Sequence, residues 1–400
     1  MRLQPAAATP IELKTIFQSW SDKRDSIRKF NSAVALKIGA SSSIALSSLM
    51  RNTFVAVESV KRRLPPGTSI ILPRYSCPSF LHGIRASGMP YRYCDMDPTT
   101  LRVEYEHLNA ASDSNVGALL IPNLFGLSSD MGAISEYCRR SEWLLIEGAD
   151  YTLGGTLAGQ PLGSFGDVTI LNFQEGKALP IGGGMALSKS LAAFEHANAL
   201  SRVSNLVGLF RSVAYAILIQ PGPYGAFHVL LKWLGISKKR LSMEDTIRKT
   251  RSEVDFTLPN EGLLQSISDF QASLGLRLLQ RLDKDVCSRS SLALELETVL
   301  QGIPEIQLIP RHAAMGKCHY IRYPILVRNG RRDALARFVT RNGFEASAMY
   351  VEHGMNIDPA QFPGASQICD ELLTLPCHLF MTNSDIQHLA HLVRQFFRSK

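Results

Sequence analysis

The sequence predicts an α/β protein built on a buried, mostly parallel sheet, and three observations carry that expectation. Short apolar runs recur without polar alternation, stretches of helical period separate them, and turn residues mark the joins. Strands that are apolar at every position need cover on both faces, which helices connecting parallel strands provide. A chain of 400 residues exceeds one small core, so two domains are expected. Residues 1–245 would form the larger one and residues 246–400 a smaller C-terminal α/β domain.

Taken in order, ASSSIAL (40–46) sets small hydroxyl residues before an apolar run read as helical. TSIILP (68–73) is a strand stopped by proline, SFLHGIRASG (79–88) a helix closed by glycine, and YRYCDMD (91–97) a further strand. GALLIPNLFG (117–126) gives a strand and turn. SDMGAISEYCRR (129–140) reads as a helix capped by Ser129 or Asp130, with Ile134, Tyr137 and Cys138 on its apolar face. WLLIEGAD (143–150), DVTILNF (167–173) and GMALS (184–188) complete the strands of the first half.

The alternation lapses near residue 200. VAYAILIQPGPYGAFHVLL (213–231) is uncharged, but Pro221-Gly222-Pro223 divides it into halves far shorter than the roughly 20 residues of a membrane span. Two buried or interfacial elements joined at a turn are expected within an apolar insertion over residues 205–234, with peripheral membrane contact as a lesser alternative. The charged stretch KKRLSMEDTIRKTRSE (238–253) is the candidate bridge between domains. Helical pattern then runs over 263–300, a strand over HYIRYPILV (319–327), a helix over 331–343, and a last helix over 383–397 capped by Asn383 or Ser384.

Composition narrows the class. Hydrophobic residues make up 45% and charged residues 20%, the balance of a folded globular chain. The net charge of +8 is scattered in ones, twos and threes without the aromatic interleaving of an RNA platform, so nucleic acid is not an expected partner. The seven cysteines are widely spaced with no C-x-x-C pair, which argues against a disulfide framework and a zinc site and suits a reducing cytoplasm. MRLQPAAATPIELKTIF has no apolar core of a secretory signal. No metal site is expected.

The chemistry centres on LNFQEGKALPIGGGMAL (171–187), where Lys177 stands between two apolar strands. Burial there would strip the amine of water, lower its pKa and leave part of it neutral and nucleophilic. Nucleophilic lysines form Schiff bases with carbonyl compounds, pyridoxal phosphate among them. Ser42 and Ser43, read as preceding a helix, would make an anion site from hydroxyls and free N–H groups. Asn123 ends a strand and could hydrogen-bond an aromatic oxygen.

These runs resemble the DegT/DnrJ/EryC1/StrS family of pyridoxal-phosphate-dependent sugar aminotransferases. LLIEGADYTLGGTLAGQPLGSFGDVTILNFQEGKALPIGGGMAL is similar to its E-D-A-A-Q/H, G-x-x-G-D and S-F-x-x-x-K segments. PPGTSIILPRYSCPSFLHGIRASGMPYRYCDMDPTTL, PNLFG, ISDFQASLGLRLLQRLD and LTLPCH also match family segments, so the resemblance covers most of residues 40–395. It implies fold type I, with a mixed, mostly parallel seven-stranded sheet in the large domain, and a homodimer with its sites at the subunit interface. It implies pyridoxal 5'-phosphate as cofactor, an amino-acid donor and a nucleotide-linked keto-sugar acceptor, in polysaccharide, glycan or amino-sugar synthesis. By position, Lys177 would carry the cofactor and shuttle the proton, and Ser42 and Ser43 would lie at its phosphate. Cys77 stands where many members stack an aromatic, and Tyr151 at the Gln/His position beside the ring. Asn172 and Gln174 replace a serine and a histidine before the lysine, and Tyr350 matches the family's x-x-Y-p segment.

Two departures qualify the resemblance. The family's Asn-x-Arg falls on Leu264 and Ser266. More seriously, Gly148 stands where the family has the aspartate that pairs with the pyridinium nitrogen and lets the ring absorb carbanion charge. Asp150, two residues on, would point to the same side in an extended segment and could supply the carboxylate. The alternative is a paralogue with altered or lost transaminase chemistry, a cofactor-binding or regulatory protein.

Overall fold

The computed structural model describes residues 2–197, 201–233, 264–350 and 357–398. The expected domain boundary at 245/246, the charged bridge and positions 351–352 lie outside the described residues.

The large sheet runs in the order β10 (Ser201–Arg202), β11 (Gln265–Ser266), β1 (Ser42–Leu46), β9 (Gly184–Ser188), β8 (Val168–Asn172), β5 (Leu144–Gly148), β4 (Val116–Pro122), β2 (Ser69–Pro73), β3 (Tyr91–Cys94). Pairing is parallel from β3 through β8 and antiparallel where β9 joins β8 and β1. The seven strands expected of the fold are all present, and the two-residue β10 and β11 extend one edge. β6 (Thr156–Leu157) and β7 (Gln160–Pro161) form a small hairpin, while β12 (Ile306–Leu308), β13 (Arg322–Val327) and β14 (Leu372–Pro376) form the antiparallel sheet of the C-terminal part.

The helices cover both faces because the pleat sends alternate strand residues to opposite sides. Ile70, Leu72, Leu120, Ile146 and Ile170 pack with Leu49, Val57 and Val60 of α3 (Leu49–Lys61) and Phe80 of α4 (Pro78–Ser87). The residues between them, Ile71, Leu119, Ile121 and Leu145, pack on the other side with Leu108 of α5 (Tyr105–Ala111) and Ile134 of α6 (Met131–Arg140). Asp130 caps α6, accepting from the Ala133 N–H.

Helices α1 (Leu13–Ser21) and α2 (Ser26–Ile38) lie along the long helix α9 (Asp269–Leu300). Its 32 residues span about 48 Å. Its first half, from Phe270 to Val286, packs with α2 on the large sheet. Its last turns, Ala293 to Leu300, pack with β13 of the small one. The apolar insertion forms two elements, α7 (Asn205–Leu218) and α8 (Pro221–Trp233); they meet at Ile219-Gln220, and Pro221-Gly222-Pro223, expected to be the turn, is instead the first turn of α8, where proline's missing N–H costs nothing. The C-terminal part adds α10 (Arg332–Arg341), α11 (Pro363–Glu371) and α12 (Asn383–Arg398).

Two local expectations change. Ser42–Leu46 is strand β1, and the helix starts three residues later, at Leu49, behind Ser48, whose hydroxyl accepts from the Arg51 N–H. Pairing on both edges decides it, with β9 on one side and β11 on the other. The cap of α12 is Thr382, which exchanges hydrogen bonds with Asp385 (Asp385 N–H to Thr382 Oγ1 at 3.2 Å, Thr382 N–H to Asp385 Oδ2 at 2.9 Å).

Candidate active site

Lys177 lies in the turn between β8 and β9, at the carboxyl edge of the parallel strands, where ligands of such sheets gather. The turn is closed by hydrogen bonds from Phe173 N–H to Gly183 O (2.8 Å) and Gly182 N–H to Phe173 O (2.6 Å). Glycine is needed at 183: φ is +83°, and a Cβ would sit 2.6 Å from Leu46 O. That close approach brings the end of β1 and the start of α3 against the lysine turn.

The Lys177 Nζ donates to Asp150 Oδ2 at 2.6 Å and lies 3.1 Å from the centre of the Tyr151 ring. Burial alone would pull the ammonium's pKa down. Asp150 and the Tyr151 oxygen outweigh it, and the pKa is raised above the ordinary lysine value. The expectation of a lowered pKa is therefore reversed, because sequence shows burial at a strand end but not the carboxylate that folds against it.

Cys77 precedes α4, within the field of Asp150 and Lys177, and its thiol is pushed up to about 11, first by burial and then by the Asp150 charge. It is a neutral neighbour. Tyr350 comes from the far end of the sequence: its hydroxyl lies 3.4 Å from that of Tyr151, and its ring packs on Phe125 and Tyr75. Tyr75 in turn donates to Met349 O at 2.8 Å. Asn172 and Gln174 are spent on each other, with Gln174 N–H to Asn172 Oδ1 at 3.0 Å shaping the entry to the turn.

Two expectations do not hold. Ser42 and Ser43 sit at the other end of β1, because the register places Ser42 opposite Ser188 and Leu46 opposite Gly184. Four residues of strand put Ser42 about 13 Å from the lysine edge. Their hydroxyls donate to Ser190 O (2.7 Å) and Asn31 O (3.3 Å). Ser47 and Ser48, not Ser42 and Ser43, stand at the entrance of α3, where Ser48 accepts from the Arg51 N–H. Asn123 is the second correction. Its amide donates to Glu147 Oε1 at 3.0 Å and its oxygen accepts from Ser128 Oγ at 3.0 Å, so it is held in a buried structural network rather than offered to a ligand. The Glu147 pKa is raised by burial, although the Gly163 and Phe165 amides and Asn123 all donate to it.

Gly148 is a fitted position. A Cβ there would lie 3.0 Å from Phe80 Cζ and 3.0 Å from Pro122 Cα. Phe80 fills the space that a side chain at 148 would need.

Sequence reasoning missed the N-terminal segment. The Thr9 hydroxyl donates to the Lys177 carbonyl at 2.6 Å and its N–H to Tyr215 Oη at 3.1 Å. Thr9 Oγ1 also accepts from Arg289 Nη2 at 2.7 Å. Arg289 is wholly buried, donates to Ala8 O and faces His319 Nε2 at 2.5 Å. Since a guanidinium only donates, that nitrogen accepts and Nδ1–H donates to Leu153 O at 2.8 Å. No spacing rule links positions 9, 177 and 289.

Residues 10–221 and 226–394, nearly the whole chain, match the DegT/DnrJ/EryC1/StrS aminotransferase family. The chain belongs to that family. It is an enzyme, a pyridoxal-phosphate-dependent aminotransferase of fold type I. Among its relatives, a dTDP-4-dehydro-2,3,6-trideoxy-D-glucose 4-aminotransferase of Saccharopolyspora spinosa is 23% identical over 82% of this chain and 77% of its own. A GDP-perosamine synthase of Caulobacter vibrioides is 23% identical over 91% of this chain and 88% of its own. In fold it is similar to PseC of Helicobacter pylori, an aminotransferase involved in pseudoaminic acid biosynthesis (TM-score 0.74, 14% identity, 100% of both chains). The aminotransferase TlmJ of Streptoalloteichus hindustanus is comparable (TM-score 0.73, 21% identity, 99% of this chain and 98% of that one). Among the described residues of this aminotransferase, no helix is long and apolar enough to cross a membrane.

Proposed function

We propose that this aminotransferase moves an amino group from glutamate or a similar amino acid to a keto-sugar linked to a nucleotide, with Lys177 as the lysine that holds the cofactor. The observation that carries the reading is the buried Lys177 amine, 2.6 Å from Asp150 and against the Tyr151 face. The names of the relatives, which act on dTDP- and GDP-sugars, support the substrate class.

The residues present fit pyridoxal phosphate in their chemistry: a lone buried amine for an aldehyde, a carboxylate beside it, aromatic faces, and a helix N-terminus on the same sheet edge. When bound, that group supplies the aldehyde and an electron sink. Lys177 Nζ is the base that must lose and regain the proton, and Asp150 Oδ2 holds it in the resting state. Asp150, not position 148, is the carboxylate available to the site. The α3 entrance, Ser48 with the Leu49 and Met50 amides, is the seat for a phosphate. Cys77 and Tyr151 line the amine, and Tyr350 and Tyr75 exclude water from it. The resemblance implies a homodimer, and light scattering checks it.

The test is optical. Purified protein should carry visible absorbance that Lys177→Ala abolishes, and glutamate should convert the bound cofactor to its amine form. Colourless wild-type protein that takes up no added cofactor would sink the reading. Phe80 filling the space beside Gly148 favours the second reading, altered chemistry; bound cofactor with no response to any amino acid would select it.

A further inference from the structure

We propose that Asp150 serves the amine end of the cofactor and that the ring nitrogen meets no acid, so that the ring is held with that nitrogen unprotonated. The proposal rests on the reading of Lys177 as the lysine that holds pyridoxal phosphate, and what carries it is the placing of the buried acids. Among the described residues they are three: Glu147, Asp150 and Asp285. Glu147 is enclosed by donors, the Asn123 amide and the Gly163 and Phe165 N–H groups. Asp285 pairs with Arg281, one turn back along α9. That leaves Asp150, whose Oδ2 accepts from Lys177 Nζ at 2.6 Å. The aldehyde carbon and the nitrogen of pyridoxal stand at opposite ends of a flat, rigid ring. The amine joins the first, so a carboxylate in contact with the amine cannot also touch the second. Asp150 is 3% exposed, and a buried carboxylate parted from its cation is costly, which keeps it with the lysine nitrogen.

The other end is closed to a charge. In the family the acid for the ring nitrogen stands at the position of Gly148, and here Phe80 Cζ and Pro122 Cα each lie 3.0 Å from where a Cβ would begin. Phe80 is 1% exposed and packs in one apolar cluster with Leu120, Ile146 and Ile170. A protonated nitrogen against such a wall would lose its water with no counter-charge in return, and burial of that kind drives the proton off a base. A neutral nitrogen avoids the cost. The proton that draws electrons from the reacting carbon is then the one Asp150 keeps on the lysine nitrogen, and the ring absorbs less charge than it would beside an acid.

The experiment titrates the cofactor-free, full-length protein with pyridoxal phosphate and with its deaza analogue, in which a CH group replaces the ring nitrogen, and reads binding from absorbance. Wild type should bind the two within about threefold, whereas a charged hydrogen bond at the nitrogen would favour the natural cofactor by about tenfold or more. The double variant Gly148→Asp/Phe80→Ala supplies an acid and the room for it, and should gain that preference. NMR of cofactor labelled with heavy nitrogen in the ring reads the proton directly: wild type should show a neutral pyridine nitrogen and the double variant a protonated one. Asp150→Asn should leave the ring signal in place and lower the pH at which the visible band of the bound cofactor titrates. If the double variant does not fold, the wild-type and Asp150→Asn spectra decide. A protonated ring in wild type at neutral pH, a tenfold preference there for the natural cofactor, or a ring signal that moves in Asp150→Asn would overturn the proposal alone. Wild-type protein that binds neither compound would overturn the reading of Lys177 and the proposal with it.

Discussion

Asp150→Asn probes the arrangement around Lys177 most directly. The ammonium lies 2.6 Å from Asp150 Oδ2, and the two side chains are 11% and 3% exposed. Unit charges at that distance attract by about 6 kcal/mol at an effective dielectric of about 20, before desolvation is counted. The carboxamide keeps the shape and an acceptor oxygen but removes the charge. Burial then acts on the amine with little opposition, and its pKa falls. Breaking a buried pair generally costs about 3–5 kcal/mol. The loss is capped near about 5 kcal/mol, the cost of deprotonating at pH 7 an amine whose ordinary value is 10.5. The pH dependence follows. In the wild type the folded pKa is raised, so the contribution is complete below 10.5 and is lost only as pH climbs through the higher folded value. In the variant the folded amine binds fewer protons than the unfolded one, so stability rises with pH up to the ordinary lysine value. The gap between the two proteins should be widest near neutrality and narrow towards about pH 10. Urea unfolding of the cofactor-free proteins at several pH values measures it. A gap absent at neutral pH, or constant with pH, would refute the reasoning.

Three further outcomes are expected. Gly148→Asp should destabilise by about 1–3 kcal/mol through overpacking against Phe80 and Pro122, and pairing it with Phe80→Ala should recover part of the loss in thermal melts, which would otherwise show no coupling. Thr9→Val removes the donor to Lys177 O and the acceptor for Arg289; a loss of about 1–3 kcal/mol and weaker cofactor retention are expected, with Thr9→Ser restoring both, and a silent Thr9→Val would deny the segment any hold on the lysine turn. His319 and His378 are pushed down to about 3, first by burial and then by the Arg289 charge, so both stay neutral when folded while the unfolded chain protonates near about 6.5. Stability should therefore fall as pH drops below that value, by up to about 1.4 kcal/mol per pH unit for each ring, and His319→Gln should flatten the slope between about pH 6 and 4 by close to one proton.

The sequence made the large sheet legible because its strands are apolar on both faces: Ser69–Pro73, Leu144–Gly148 and Val168–Asn172 fall inside the predicted runs, and Val116–Pro122 starts one residue before its run. Local rules also placed the α6 cap at Asp130. They misread Ser42–Leu46, where two serines and three apolar residues fit a strand or a helix equally and only pairing with β9 and β11 decides. That single error put Ser42 and Ser43, instead of Ser47 and Ser48, at the start of the helix.

The sequence alone determined the type of fold, the family and the turn that holds Lys177, because periodicity, turn residues and motif spacing are local properties of the chain. Only the tertiary structure decided the charge state of that lysine, the loss of Asn123 to Glu147, and the grip of Thr9 and Arg289 on the lysine turn. Each of those depends on groups far apart in sequence meeting at hydrogen-bond distance inside a medium that excludes water, where one carboxylate outweighs the burial that would otherwise lower an amine's pKa.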